Sequence, residues 1–176
     1  MKKDFIMPIL VVSLICVFVT GALAIGHSLT QPVITAAAAE RAAVAMRAIV
    51  PHADYFEPLE LDGLPTAVNS AYRISGNEGY IFIVTSMGFG GDMRVISGIG
   101  ADGMIIRTAV LSHTETLSFA APVFAQAHAG QYWGQDRNGI EGISAVSGST
   151  ITSVAFRNAV RYAFDAFDAI TAGGTQ

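Results

Sequence analysis

Gly79–Ser112 reads GYIFIVTSMGFGGDMRVISGIGADGMIIRTAVLS. Three runs rich in β-branched and aromatic residues are separated here by two glycine-bearing breaks. Gly79–Met87, Met93–Ile99 and Met104–Ser112 each have the length and side chains of a strand. Gly100-Ala101-Asp102-Gly103 between the last two is a strong hairpin signal. Gly88-Phe89-Gly90-Gly91 between the first two suits a tight connection. Upstream, Ala71–Ser75 continues the pattern across a Gly76-Asn77 turn. Consecutive strands joined by short turns predict an antiparallel sheet.

Working outward, the flanks read as helices. Thr150–Ile170 carries Ile151, Val154, Ala155, Val160, Ala163, Phe164 and Phe167 at helical spacing. Upstream of the sheet, LTQPVITAAAAERAAVAMRAIVPHA (residues 29–53) is alanine-rich, with Pro32 as a start signal and Pro51 as a stop. Ala36, Ala39, Ala43, Met46 and Val50 fall on one side of it. This helix either carries the domain away from a membrane or is simply the domain's first helix. His52–Ser70, with Pro58 and Pro65, reads as loop, and Thr116–Asn138 as irregular with a short helix near Ala121–Ala127. The fold class is α+β, a small antiparallel sheet flanked by helices.

Just over half of the 176 residues are hydrophobic and 14% are charged, which directs attention to the N-terminus. There Phe5–Gly26 runs 22 residues without a charge, behind Lys2 and Lys3. At about 1.5 Å per residue such a run crosses a hydrocarbon core of roughly 30 Å. A cleaved signal peptide has a shorter apolar region, of about 7–15 residues, although Ala22-Leu23-Ala24 is an acceptable cleavage site. The length favours a retained anchor, with the two lysines cytoplasmic and the remainder outside.

Several chemistries are excluded by composition. Cys16, inside the apolar run, is the only cysteine, so disulfides within the chain, cysteine-ligated clusters and c-type haem attachment are excluded for the outer domain. Lys2 and Lys3 are the only lysines, which excludes a Schiff base there. A net charge of −4 with no basic run gives nucleic acid no electrostatic footprint. The four histidines show no metal-ligand spacing, and Gly-x-Ser-x-Gly does not occur.

The remaining candidate is SAVSGSTITS, residues 144–153, with six hydroxyl side chains around Gly148 at a helix start. Ser149 or Thr150 can cap the helix, and its free N–H groups with the positive dipole end suit a phosphate. A capped helix after a polar loop and a phosphate site both fit these residues. GFGG lacks the lysine of a P-loop and the spacing of a dinucleotide fingerprint. SHTET, residues 112–116, places His113, Glu115 and Thr116 at a strand end.

Taken in order, the anchor with LTQPVI, the GFGG…SHTET stretch, the single Trp133 and AVSGSTITS with its helix resemble one family. It is the membrane-anchored FMN-binding subunit of ion-translocating redox complexes. The chain looks most like the G subunit of the Rnf electron-transport complex and is similar, more distantly, to the C subunit of the sodium-pumping NADH:quinone oxidoreductase. The resemblance implies residues 1–26 as transmembrane anchor, 27–51 as connecting helix and 52–176 as an extracytoplasmic FMN-binding domain. It implies FMN joined through its phosphate to Thr150, by a flavin transferase that uses FAD and a divalent metal. Ser147, Gly148 and Ser149 would shape the loop, and Thr152 would contact the phosphate or cap the helix. The glycine turn with Gly90 and Gly91, and His113, Glu115 and Thr116, would border the isoalloxazine. Implied partners are the other membrane subunits of a redox-driven ion pump and, during maturation, the transferase. The chain differs from the family's common pattern at Ser144, often Asp, at Ser149, usually Ala, and at Leu117-Ser118-Phe119-Ala120, commonly Pro-Gly-Leu-Gly. Two other expectations stand beside this one: a tethered non-redox structural or sensory module, and a free-standing FMN-dependent reductase.

Overall fold

The computed structural model describes residues 2–173. It divides into two compact units, Met1–Ala42 and Ala43–Gln176. The first unit belongs to one helix, α1 (Lys2–Ile49), which continues into the second. From Ile6 the helix is long and apolar enough to cross a membrane, with mean hydropathy 2.7 over its most apolar window. Hydroxyls on this stretch bond back to the helix itself: Ser28 Oγ donates to the Ile25 carbonyl at 3.0 Å, and Thr30 Oγ1 to that of Gly26. Pro32, expected to begin a helix, instead lies inside α1. A proline removes one N–H from the ladder, and the alanine-rich sequence after it has helix propensity enough to carry the helix on. α1 ends at Ile49, just ahead of Pro51.

The second unit is built on a five-stranded antiparallel sheet in sequence order. Its strands are β1 (Phe56–Leu59), β2 (Val68–Ile74), β3 (Gly79–Met87), β4 (Asp92–Gly100) and β5 (Ile105–His113). β1 falls where the sequence predicts only loop. It is four residues long and contains Pro58, which an edge strand tolerates because one side of its backbone needs no partner. The other strands lie where the sequence predicts them, within a few residues.

The register of β3 and β4 sorts side chains onto two faces. Phe82 stands opposite Ser97 and Val84 opposite Val95, on one face. That face meets α4 (Thr150–Gly173), whose Ala155, Phe156, Ala159, Val160, Ala163 and Phe164 join it in the core. The alanines let the helix approach the sheet closely, and each fully buried large side chain such as Phe156 contributes about 1.5–3 kcal/mol. On the other face Ile81 stands opposite Gly98 and Ile83 opposite Ile96. There a Cβ on Gly98 would lie 2.6 Å from Ile49 Cγ2, so the last turn of α1 presses on this face. With both faces covered, β3 and β4 read as nearly continuous apolar runs. After β5 come α2 (Leu117–Phe124), α3 (Gln126–Ala129) and short 3-10 turns leading to α4.

Candidate functional site

The start of α4 is fixed by its own hydroxyls. Gly148 adopts φ 79°, a left-handed conformation that an L side chain resists. The chain then turns, with the Ser149 N–H donating to the Val146 carbonyl at 3.0 Å. Ser153 locks the turn from inside: its Oγ accepts the Val146 N–H at 3.0 Å and donates to the Ser149 carbonyl at 2.9 Å. Four successive residues therefore split by role. Thr152 and Ser153 are buried, whereas Thr150 and Ile151 are exposed.

Opposite stands the end of β5. The Thr114 N–H donates to the Asp92 carbonyl at 3.1 Å, and Thr114 Oγ1 reaches the carbonyls of Gly90 and Asp92 at 3.1 and 3.3 Å. Glu115 is 7% exposed and its Oε2 accepts from Thr152 Oγ1 at 3.2 Å. The GFGG turn closes with the Gly88 N–H on the Gly91 carbonyl at 2.8 Å. A Cβ on Gly88 would overlap Glu115 Oε1, and one on Gly90 would lie 2.8 Å from the Thr114 carbonyl oxygen. The glycines of this turn are thus demanded by a close approach to Thr114 and Glu115.

Between these segments lies a cleft of about 340 Å³, lined by Phe89 and by Gly148–Thr152. Of the residues singled out from the sequence, Gly148, Ser149, Thr150 and Thr152 line it directly. Glu115 stands behind Thr152, and Gly90 is held through Thr114. Gly91 sits in the same turn, at φ 126°. Ser147 is exposed just before the turn into α4. His113 and Thr116 do not line the cleft: the His113 ring packs 4.6 Å from that of Phe124, and the Thr116 carbonyl accepts the first bond of α2, from the Ala120 N–H. Trp133 lines a different cleft of about 310 Å³, beneath the Arg107 guanidinium.

Sequence reasoning does not single out Phe89 and Ile151 as site residues. They are 69% and 55% exposed, and both line the cleft. The available signal for Phe89 is an aromatic residue set among glycines, where no core needs it.

Residues 88–165 match the family model of the FMN-binding domain. The matched interval begins at the GFGG turn and ends within α4, so it contains both walls of the cleft. Two curated relatives are similar. One is the G subunit of the proton-translocating ferredoxin:NAD(+) oxidoreductase complex of Clostridium ljungdahlii, 27% identical over 103 residues, covering 53% of this chain and 56% of that one. The alignment thus spans little more than half of that relative's length. The other is the G subunit of the ion-translocating oxidoreductase complex of Methanosarcina acetivorans, 29% identical over 179 residues, covering 93% of this chain and 95% of that one.

The cleft within the matched interval has the chemistry to suit a flavin mononucleotide at both ends. The first N–H groups of α4 and the positive end of its dipole favour a phosphate. Phe89 and Ile151 offer apolar surface for a flat ring.

Proposed function

We propose that this chain is an electron-transfer subunit of a membrane-bound, ion-translocating oxidoreductase, carrying FMN as a phosphoester of Thr150. The observation that carries this reading is the state of three neighbouring hydroxyl residues: Ser149 and Thr152 are buried, and Thr150 is exposed in the cleft at the helix start. An acceptor hydroxyl must be open to a modifying enzyme, and Thr150 meets that need. In the modification the Thr150 Oγ1 attacks the flavin-side phosphorus of FAD. The P–O–P link breaks, AMP leaves, and the threonine proton passes to solvent.

Bound FMN would supply the ability to accept and pass on electrons. The residues of the chain do the rest. The start of α4 holds the phosphate charge, Gly148 keeps the loop turned away from it, and Ser147 and Ser149 shape the approach. Phe89 and Ile151 flank the ring, while Gly90, Gly91, Glu115 and Thr116 complete the surroundings, with His113 steadying the end of β5. A covalent tether retains the cofactor in a shallow site, where tight enclosure would block exchange of electrons with a neighbour. Residues 1–26 anchor the chain with the N-terminus cytoplasmic, 27–51 connect, and 52–176 form the extracytoplasmic domain beside the other subunits of the complex. The names of the two relatives, both G subunits of ion- or proton-translocating oxidoreductase complexes, support membership of such a complex.

The test is intact mass of the full chain co-expressed with a flavin transferase. The wild type is expected to gain about 438 Da, FMN less one water, as befits a protein that fixes its cofactor. Thr150→Ala is expected to stay unmodified and Thr150→Ser to regain part of the modification. A wild type without added mass sinks the covalent reading, and modification that survives Thr150→Ala sinks the residue assignment alone.

A further inference from the structure

We propose that Thr114 and Glu115 form a clasp that sets the width of the cleft, with Glu115 a positioning residue for the bound flavin; the flavin part rests on the reading of the cleft as the FMN site. The two walls come from remote parts of the chain, Phe89 from the β3–β4 turn and residues 148–152 from the start of α4. Two adjacent residues after β5 hold one wall each. Thr114 bonds the carbonyls of Gly90 and Asp92, and Glu115 accepts from Thr152. The two residues are adjacent in the chain just after β5, which lets one dipeptide reach both walls.

The seat is closely filled on the turn side. A Cβ on Gly91 would lie 2.6 Å from Thr114 Oγ1, and one on Gly88 would overlap Glu115 Oε1. That oxygen is buried and has no hydrogen-bond partner among the described residues. The carboxyl is therefore held by Thr152 on one side and by packing against Gly88 on the other. A shift of Glu115 is transmitted to Phe89 through Gly88 and to Ile151 through Thr152. The sheltered Thr152–Glu115 bond is stronger than the same bond in water, so the coupling is stiff. A flavin between Phe89 and Ile151 inherits its spacing from Glu115 without needing to touch it.

Two readouts test this. In the full chain without flavin, hydrogen exchange is followed in peptides covering 88–91 and 150–153. Glu115→Ala is expected to speed exchange in both segments together, by about five- to ten-fold for the loss of one sheltered bond. Glu115→Gln keeps an acceptor for Thr152 and is expected to restore most of the protection. Gly88→Ala is expected to disturb both segments, and adding Glu115→Ala to it to make matters no worse than Glu115→Ala alone, because the carboxyl it strikes is gone. In the flavin-loaded chain, Glu115→Ala is expected to raise quenching of flavin fluorescence by iodide about two-fold, with the Gln variant near wild type. Exchange that changes in only one segment, or additive effects of the two substitutions, overturns the clasp. A wild type that carries no flavin defeats the proposed function, while the exchange experiment still decides the clasp. Faster exchange in both segments with unchanged iodide quenching overturns the flavin-positioning part.

Discussion

Gly148 and Thr150 illustrate how conformation and chemistry divide within one short loop. Gly148 sits at φ 79°, and a Cβ built on it meets nothing within 4 Å. Space is open, so any penalty for Gly148→Ala comes from the backbone alone. Placing an L residue in the left-handed region costs about 1–2 kcal/mol. Thermal unfolding of Gly148→Ala is therefore expected to fall by about 3–8 °C for a domain of this size. Gly148→Asn should lose less, because asparagine enters that region more readily. Equal losses for the two would show that the loop relaxes out of this conformation. The same variants report on the site. If the left-handed turn presents Thr150 to a modifying enzyme, Gly148→Ala lowers the fraction of chains that carry flavin, read by intact mass, more than it lowers stability.

At the scale of elements, the start of α4 depends on a residue one turn inside it. Ser153 Oγ holds the Val146 N–H and the Ser149 carbonyl at once, with Ser153 itself buried. Ser153→Ala leaves the Val146 N–H without its partner, at a cost of about 1–3 kcal/mol. The expected result is a lower denaturant midpoint with an unchanged slope, since the same surface is exposed on unfolding. Phe156→Ala, three residues on, should cost more, about 3–5 kcal/mol, because it empties the centre of the core. The element pattern is largely legible in the sequence. Glycine-punctuated β-branched runs predict β3, β4 and β5, and an apolar stripe predicts α4. β1 is not legible, because four residues around Pro58 carry no periodicity and their pairing with β2 is a tertiary fact. The unbroken course of α1 through Pro32 is hidden for the opposite reason, a local start signal overridden by its neighbours. In the site, crowded hydroxyls and glycines are visible in sequence. The contact of Thr152 with Glu115 spans 37 positions and needs the sheet to bring its ends together.

For the whole folded domain, pH acts through a histidine remote from the cleft. His128 is 4% exposed and packs edge-on to Tyr132 and Phe156, with ring centroids 5.8 and 6.3 Å away. Its Nε2 is buried and has no partner among the described residues. Burial lowers its pKa below the usual 6.5, and the Arg157 charge lowers it further. Tyr132 offers no compensating negative charge, because burial pushes its own pKa up to about 12. Above pH 6.5 the histidine is neutral in both folded and unfolded chains, and stability is at its full value. As pH falls through 6.5 the unfolded chain takes up a proton that the folded domain resists, so stability declines. The decline from this group ends once pH passes below the folded-state pKa, where both forms are protonated. Chemical denaturation between pH 7.5 and about 5.5, above the range where most carboxylates titrate, isolates the effect. The wild type is expected to lose stability over that window. His128→Phe, which fills the same aromatic cluster without a titrating nitrogen, is expected to show a flatter profile. A wild-type profile as flat as that of His128→Phe would mean that the imidazolium is relieved on protonation, by a Tyr132 hydroxyl that turns to accept from it or by movement away of the Arg157 side chain, which now donates to the Ile143 carbonyl at 3.1 Å.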